Sequence, residues 1–118
     1  MKTLSIHPMM SEAGLLSAII DVAPIYGWLR IHFRPARMKS GGYATPIQGD
    51  PGFYDLVLVK APVFLVAELK GYDKNGRLGQ LNAEQWEWLC QAQLCGIPAF
   101  LWTPDDWISG EILEVLTR

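Results

Sequence analysis

Two apolar, β-branched segments separated by one short turn constrain the fold of this chain more than any other feature. They occupy residues 55–60 and 63–70, and only Ala61 and Pro62 lie between them. Runs of this kind joined by two turn residues predict an antiparallel hairpin. With the turn centred there, the numbers of paired residues sum to about 121 to 123, which places Asp55 opposite residues 66 to 68.

Three polar residues stand at the ends of these otherwise apolar strands. Asp55 opens the first strand, and Glu68 and Lys70 close the second. Because side chains alternate between the two faces of a strand, Lys70 shares a face with Glu68, while Leu69 points into the core. The sequence therefore predicts that two carboxylates and one ammonium converge. The alternative is that Asp55 merely precedes a strand and that Glu68 and Lys70 form a solvated pair that binds nothing.

The two neighbouring carboxylates predict a metal site, because they repel each other unless a cation lies between them. Mg²⁺ is the expected ion, with Mn²⁺ also possible, and its ligands would be Asp55, Glu68 and the backbone carbonyl of Leu69. The cation would lower the pKa of a bound water, and Lys70 would orient that water or stabilise a phosphoryl transition state. Asp50 is the alternative ligand if the loop before Asp55 folds differently.

The segments around the hairpin predict a chain order of αβββαβα. Ser11 caps a helix over about residues 11 to 23, and residues 28–34 form a strand, with Leu29, Ile31 and Phe33 on one face and a basic, aromatic outer face opposite. A long surface loop covers residues 35–52. Asn82 begins a helix that ends at Gly96, residues 97–102 form a short buried strand, and a final helical turn or two surrounds residues 108–116. The apolar positions of the helix after Asn82 are Trp86, Leu89, Cys90 and Leu94.

Length and composition predict one folded domain over residues 1–118. Half of the 118 residues are hydrophobic, which is enough apolar surface for a core. The chain is too short for two domains of ordinary size. No apolar run is long enough to cross a bilayer and the start lacks a signal-peptide pattern, so we expect a cytoplasmic protein with no membrane partner. Cys90 and Cys95 have neither zinc-site nor disulfide spacing and are expected to be small buried core residues.

Charge patterning argues against passive coating of nucleic acid but leaves a local basic strip. The formal net charge is −2, whereas proteins that mainly coat nucleic acid are basic. Four basic residues nevertheless fall within ten positions that contain no acid, and they are candidates for phosphate contacts: Arg30, Arg34, Arg37 and Lys39. A solvated strand face followed by a loop explains them equally well. His32 is read as a surface or hydrogen-bonded residue, not as a metal ligand.

Several segments in order resemble the VRR-NUC branch of the PD-(D/E)XK nucleases. They are Gly49-Asp-Pro-Gly-Phe-Tyr-Asp55-Leu-Val-Leu-Val, then Phe64-Leu-Val-Ala-Glu68-Leu-Lys70-Gly, Leu81-Asn-Ala-Glu-Gln85-Trp-Glu-Trp-Leu and Gly96-Ile-Pro-Ala-Phe. The resemblance covers most of the chain from Ser11 to Trp107. The family usually has Pro directly before the strand-opening Asp, where this chain has Tyr54, and it often has a Gln one turn after the first-helix Glu, where this chain has Leu15 and Leu16.

This resemblance implies a restriction-endonuclease-like α/β fold, with an αβββαβ core whose mixed central sheet is flanked by helices. It implies that Asp55 and Glu68 are metal ligands, that Lys70 is the catalytic lysine, and that Gln85 is a further active-site residue. Glu12 matches an acidic residue often found on the first helix and is a further candidate ligand. Gln85 has a second interpretation, because three residues after Asn82 it can complete a helix cap.

The resemblance also implies a function. We expect a metal-dependent endodeoxyribonuclease without a small-molecule cofactor that acts on branched or flapped DNA in repair, recombination or phage replication. A homodimer would supply the two cuts that a Holliday junction needs. Two alternatives stay open: a non-catalytic DNA-binding or assembly module, and a restriction-type or RNA nuclease whose specificity lies in loops 35–53 and 71–80.

Overall fold

The computed structural model describes residues 9–33 and 48–118, together with the backbone of residues 36–37 and 43–44. The helices in these residues are α1 (Glu12–Val22), a 3₁₀ turn (Ala23–Tyr26), α2 (Ala83–Leu94), α3 (Pro104–Ile108) and α4 (Glu111–Leu116). The strands are β1 (Leu29–His32), β2 (Ala36–Arg37), β3 (Tyr43–Ala44), β4 (Leu56–Lys60), β5 (Val63–Leu69) and β6 (Ala99–Trp102).

The described strands form a four-stranded mixed sheet of order β1-β4-β5-β6 and a separate β2-β3 pair. β1, β4 and β5 are antiparallel neighbours, whereas β6 runs parallel to β5. The parallel pairing is possible because α2 carries the chain back across the sheet between β5 and β6. The expected α/β class and the mixed sheet flanked by helices are confirmed, and β2 and β3 add a short strand pair inside the expected loop.

The hairpin of β4 and β5 is confirmed with the register that the turn predicts. Leu56 pairs with Ala67 and Lys60 pairs with Val63. Because successive side chains of a strand point to opposite faces of the sheet, one face carries Leu56, Leu58, Leu65, Ala67 and Leu69. The other face carries Val57, Val66 and Glu68.

The first face carries the main core. Leu15 and Ile19 of α1 and Ile112 and Leu116 of α4 are fully buried against it. Ser11 caps α1 by accepting a hydrogen bond from the Gly14 N–H, as expected. The final helical region is divided, because Gly110, with φ of +87°, separates α3 from α4.

The second face is covered by α2, which packs against β5 and β6. Leu89 and Ala92 of α2 are buried there with Val66 and Tyr54. Trp86 and Leu94, two of the apolar positions that follow helical spacing, are 60% and 81% exposed, and Cys95 is exposed while Cys90 is half-buried. The prediction of two buried cysteines is therefore wrong, because a single helix on this face turns only a narrow stripe toward the sheet.

The inward face of β1 differs from the one its hydrophobicity suggests. Trp28 is buried, and its Nε1 donates a hydrogen bond to the Leu116 carbonyl at 2.8 Å. Leu29 and Ile31 are exposed instead. Their pairing with Val59 and Val57 places them on the α2 side of the sheet, and α2 lies over β5 and β6, away from this edge. The expected aromatic outer face therefore turns its tryptophan inward.

None of the helices in the described ranges combines the length and the apolarity that crossing a membrane requires.

Candidate active site

The end of the β4–β5 hairpin brings Asp55 next to Glu68. Leu56 and Ala67 form the last registered pair, so one further step along each strand reaches Asp55 and Glu68. The Oδ2 atom of Asp55 accepts a hydrogen bond from the Leu69 N–H at 2.8 Å. This bond fixes the Asp55 carboxylate against the strand that carries Glu68, as the sequence predicts.

Glu68 is a buried carboxylic acid that lies beside Asp55. Its side chain is 0% exposed, and neither carboxyl oxygen has a hydrogen-bond partner among the described residues. Burial, and after it the charge of Asp55, raises the pKa of Glu68 from 4.5 to about 8. An ionised carboxylate buried in this way is costly, so the protonated form of Glu68 is favoured at neutral pH.

Lys70 and Glu12 complete the charged groups around this pair. The positive charge of Lys70 lowers the pKa of both Glu68 and Glu12. Lys70 acts through space, because the described residues give its ammonium no direct ion pair. Burial, and then the charge of Asp55, raises the pKa of Glu12. Three carboxyl groups and one ammonium thus lie within electrostatic reach of one another.

Gly71 explains how the first turn of α1 comes so close to the hairpin. The Tyr72 N–H donates a hydrogen bond to the Met10 carbonyl at 3.0 Å. A Cβ atom on Gly71 would fall directly on the backbone of Ser11 and Glu12. The absence of a side chain at Gly71 therefore allows the close approach that places Glu12 near Asp55. Local sequence patterns do not reveal this role, although a glycine directly after Glu68-Leu69-Lys70 is the signal that could have suggested it.

Replacement of Gly71 by Ala should destabilise the fold by about 1–3 kcal/mol, because the clash is with backbone that cannot rotate away. Urea denaturation monitored by tryptophan fluorescence measures this change. Gly79→Ala is the matched control, because a Cβ there would meet the flexible Lys70 side chain at 3.3 Å and the Gly71 carbonyl oxygen at an ordinary contact distance of 3.7 Å. Equal losses in the two variants would contradict the proposed packing of α1 against Gly71.

Gln85 takes part in a helix cap and also borders the site. Its backbone N–H donates to Asn82 Oδ1 at 2.8 Å, and its Oε1 accepts from the Asn82 N–H at 3.1 Å. Gln85 also lines a cleft of about 610 Å³ together with Asp55. The capping interpretation is confirmed. The side-chain NH₂ of Gln85 has no acceptor in the described part of the chain.

An aromatic cluster fixes the segment that leads into Asp55. The Tyr54 hydroxyl donates to the Trp88 carbonyl at 2.6 Å, and Trp88 Nε1 donates to the Pro51 carbonyl at 2.9 Å. The Phe53 ring contacts the rings of Phe33, Tyr54 and Trp88. These contacts attach residues 51–54 to α2, so the position of Asp55 depends on α2 as well as on the sheet.

Asp55 borders two clefts, one on each side of the sheet end. The cleft on the α2 side also contains Asp50, and the cleft on the α1 side, of about 500 Å³, contains Glu12, Asp21 and His32. Asp50 is exposed and is not among the groups that shift the pKa of Glu68. The structure therefore places Asp55, and not the alternative Asp50, beside Glu68.

The basic residues named from the sequence are only partly described. Arg30 is exposed on β1. Arg37 belongs to β2 by its backbone, whereas Arg34 and Lys39 lie outside the described residues. The structure therefore brings together Asp55, Glu68, Lys70, Glu12 and Gln85, and it places Arg30 on the edge strand of the sheet.

No three His, Cys, Asp or Glu side chains within the described ranges are arranged to hold a metal ion. Glu12 therefore does not complete a three-carboxylate site. A cation between Asp55 and Glu68 would take its remaining ligands from backbone oxygen, water or substrate phosphate, a set that Mg²⁺ accepts readily.

Comparison of the chain with protein-family models, with curated proteins and with solved structures found no match.

Proposed function

We propose that this chain is a metal-dependent endodeoxyribonuclease of the VRR-NUC branch of the PD-(D/E)XK superfamily. The observation that carries the proposal is Glu68, a carboxyl group with no hydrogen-bond partner among the described residues, buried beside Asp55 and under the influence of Lys70. A buried carboxyl group with a purely structural role is expected to have a hydrogen-bond partner. The oxygens of a carboxylate that binds a cation are instead available to coordinate the ion.

The order of the helices and strands supports the assignment of a restriction-endonuclease-like core. Leaving aside the small β2-β3 pair, the chain passes through α1, β1, β4, β5, α2 and β6, which is the αβββαβ order of a restriction-endonuclease-like core. Asp55 precedes β4, and Glu68 and Lys70 lie at the end of β5, the positions that the resemblance assigns to the metal ligands and the lysine.

The residues present fit a hard divalent cation. Glu68 offers two unpaired oxygens, and Asp55 keeps Oδ1 available while Oδ2 accepts the Leu69 N–H. The Leu69 carbonyl is the proposed third protein ligand, whereas Glu12 lies within electrostatic reach but is not placed to complete a three-carboxylate site. Bound there, Mg²⁺ or Mn²⁺ supplies a water of lowered pKa and neutralises charge at the scissile phosphate.

The other side chains have separate roles in this proposal. Lys70 stabilises the negative charge that develops on the phosphate oxygens. Gln85 uses its Oε1 in the helix cap, which leaves its NH₂ group to donate to a phosphate oxygen or to the attacking water. Arg30, Arg34, Arg37 and Lys39 are the proposed contacts to DNA phosphates outside the reacting group.

Branched DNA is the proposed substrate, and a homodimer is the proposed assembly. One subunit carries one Asp55–Glu68 pair, whereas the resolution of a four-way junction needs two cuts. A two-fold symmetric dimer would present two identical sites to the two strands that must be cut.

Cleavage of a labelled four-way junction, a 5′ flap and a linear duplex tests the proposal. With Mg²⁺, the wild type should cut the branched substrates faster than the duplex, and EDTA or Glu68→Gln should abolish cutting. Glu114→Gln, an exposed acid on α4 that borders none of the clefts around the site, is the matched control and should cut as the wild type does. Failure to cut any of the three with Mg²⁺ or Mn²⁺ would overturn the nuclease in favour of a non-catalytic DNA-binding module. Preferred cutting of duplex at one sequence, or of RNA, would instead indicate the other nuclease classes.

A further inference from the structure

Trp86 is a large aromatic side chain on the exposed side of α2. It is 60% exposed on α2, and the described residues provide no ring partner for its indole. The other tryptophans on this side and in the core are engaged, since Trp88 donates to Pro51 and Trp102 is buried. Exposed indole of this size is costly in water and is common where a ligand stacks.

Trp86 lines a groove that also contains the proposed catalytic lysine. The groove has a volume of about 510 Å³, which is within the range of ligand-binding clefts. Leu78, Leu81 and Leu101 supply apolar surface, and Gln80, Asn82 and Thr103 supply polar groups. Lys70 is the one charged residue among the described residues that line it.

The charge of this groove contrasts with that of its neighbours. The cleft between α1 and the sheet contains Glu12, Asp21 and Asp55. Two further acids of α2, Glu84 and Glu87, border a different cleft that also contains Asp50. A nucleic acid strand entering the site would therefore meet repulsion on those sides, and it would meet a cation and an aromatic face along the Trp86 groove.

We infer that the Trp86 groove binds an unpaired nucleobase of the DNA strand whose phosphate Lys70 contacts. The inference rests on the proposed nuclease function, and it names the feature of the substrate that the site recognises. Stacking on an indole is available to any base, so the groove selects an unpaired nucleotide near the cut and not a particular sequence. A base within intact duplex cannot stack there without leaving its own helix.

The test measures binding without cleavage. The anisotropy of a fluorescein-labelled 5′-flap DNA and of a linear duplex is titrated in EDTA with wild type, Trp86→Ala, Trp86→Phe and Leu94→Ala. Trp86→Ala should raise the Kd for the flap about ten-fold, because one base–aromatic stack is lost, and Trp86→Phe should restore most of the affinity. Leu94→Ala is the matched control, because Leu94 is 81% exposed on the same helix outside this groove, and it should bind as the wild type does. Duplex affinity should stay the same in all four.

Unchanged flap affinity in Trp86→Ala would overturn the inference, as would equal losses for flap and duplex. A change of oligomeric state in Trp86→Ala, measured by sedimentation velocity, would also overturn it, since Trp86 would then belong to an interface between copies. The nuclease is tested separately by adding Mg²⁺ to the same complexes. If the wild type cuts DNA but the Trp86 variants bind the flap as tightly as it does, only the role of Trp86 is wrong. If binding depends on Trp86 but no DNA is cut, only the nuclease activity is wrong.

Discussion

Replacement of Lys70 by Met should lower the rate of DNA cleavage by roughly 10²–10³-fold, the usual cost of losing one group that stabilises transition-state charge. The Met side chain keeps the apolar length of the lysine but removes the ammonium that, among the described residues, lowers the pKa of Glu68. Single-turnover cleavage of the labelled flap with saturating Mg²⁺ measures the effect. Because Asp55 and Glu68 remain, the variant should still bind Mg²⁺.

Lys60→Met is the matched control for this experiment. Lys60 lies on the same hairpin but at its opposite end, with its ammonium 5.8 Å from the centre of the Trp28 ring. Its replacement should leave the cleavage rate within about two-fold, a change far smaller than the loss of one transition-state contact. Full activity of Lys70→Met would contradict the assignment of Lys70 to the reacting phosphate.

The free energy of unfolding of the metal-free protein should fall as the pH rises from about 5 to 8. Folding raises the pKa of Glu68 from 4.5 to about 8, so between these values the folded state holds a proton that the unfolded state has lost. The stabilisation is complete below pH 4.5 and is lost as the pH passes through the folded pKa. Since each pKa unit corresponds to about 1.4 kcal/mol, the loss should amount to several kcal/mol.

Urea denaturation in EDTA at several pH values measures this slope. Glu68→Gln carries no titrating proton at this position, so its stability should change less over the same range. Addition of Mg²⁺ at pH 8 should restore the wild type and leave Glu68→Gln unchanged, because the cation replaces the proton. Parallel pH profiles for the two proteins would show that Glu68 does not titrate as its burial requires.

The hairpin and the proximity of Asp55 to Glu68 could be predicted because local rules decide them. When two β-branched runs are joined by only two residues, the length of the turn fixes how the strands pair. That pairing places Asp55 beside Glu68. The caps at Ser11 and Asn82 were equally predictable, since each depends on residues within one turn of the helix.

The features that could not be predicted depend on contacts between distant segments. The inward turn of Trp28 requires the Leu116 carbonyl, 88 residues away in the chain. The exposure of Leu29 depends on α2 covering β5 and β6 but not β1. Alternation along one strand cannot show which face is covered, so the sequence favoured the wrong face.

The contacts that position Asp55 and Glu12 could not be predicted either, because they also join distant segments. Nothing in the sequence pattern of Tyr54 and Trp88 indicates that their hydrogen bonds attach the segment before Asp55 to α2. The close approach of Gly71 to Glu12 joins residues about sixty positions apart, and only the folded arrangement shows it.

Titration of the protein with Mg²⁺ by calorimetry at pH 7, in two buffers of different ionisation enthalpy, tests most directly whether Asp55 and Glu68 form a metal site. We expect one cation to bind per chain with the release of most of one proton, because the pKa of Glu68 is about 8 in the metal-free protein. Glu68→Gln should abolish both the binding and the proton release. Binding that is absent in the wild type, or that persists unchanged without Glu68, would contradict the metal site.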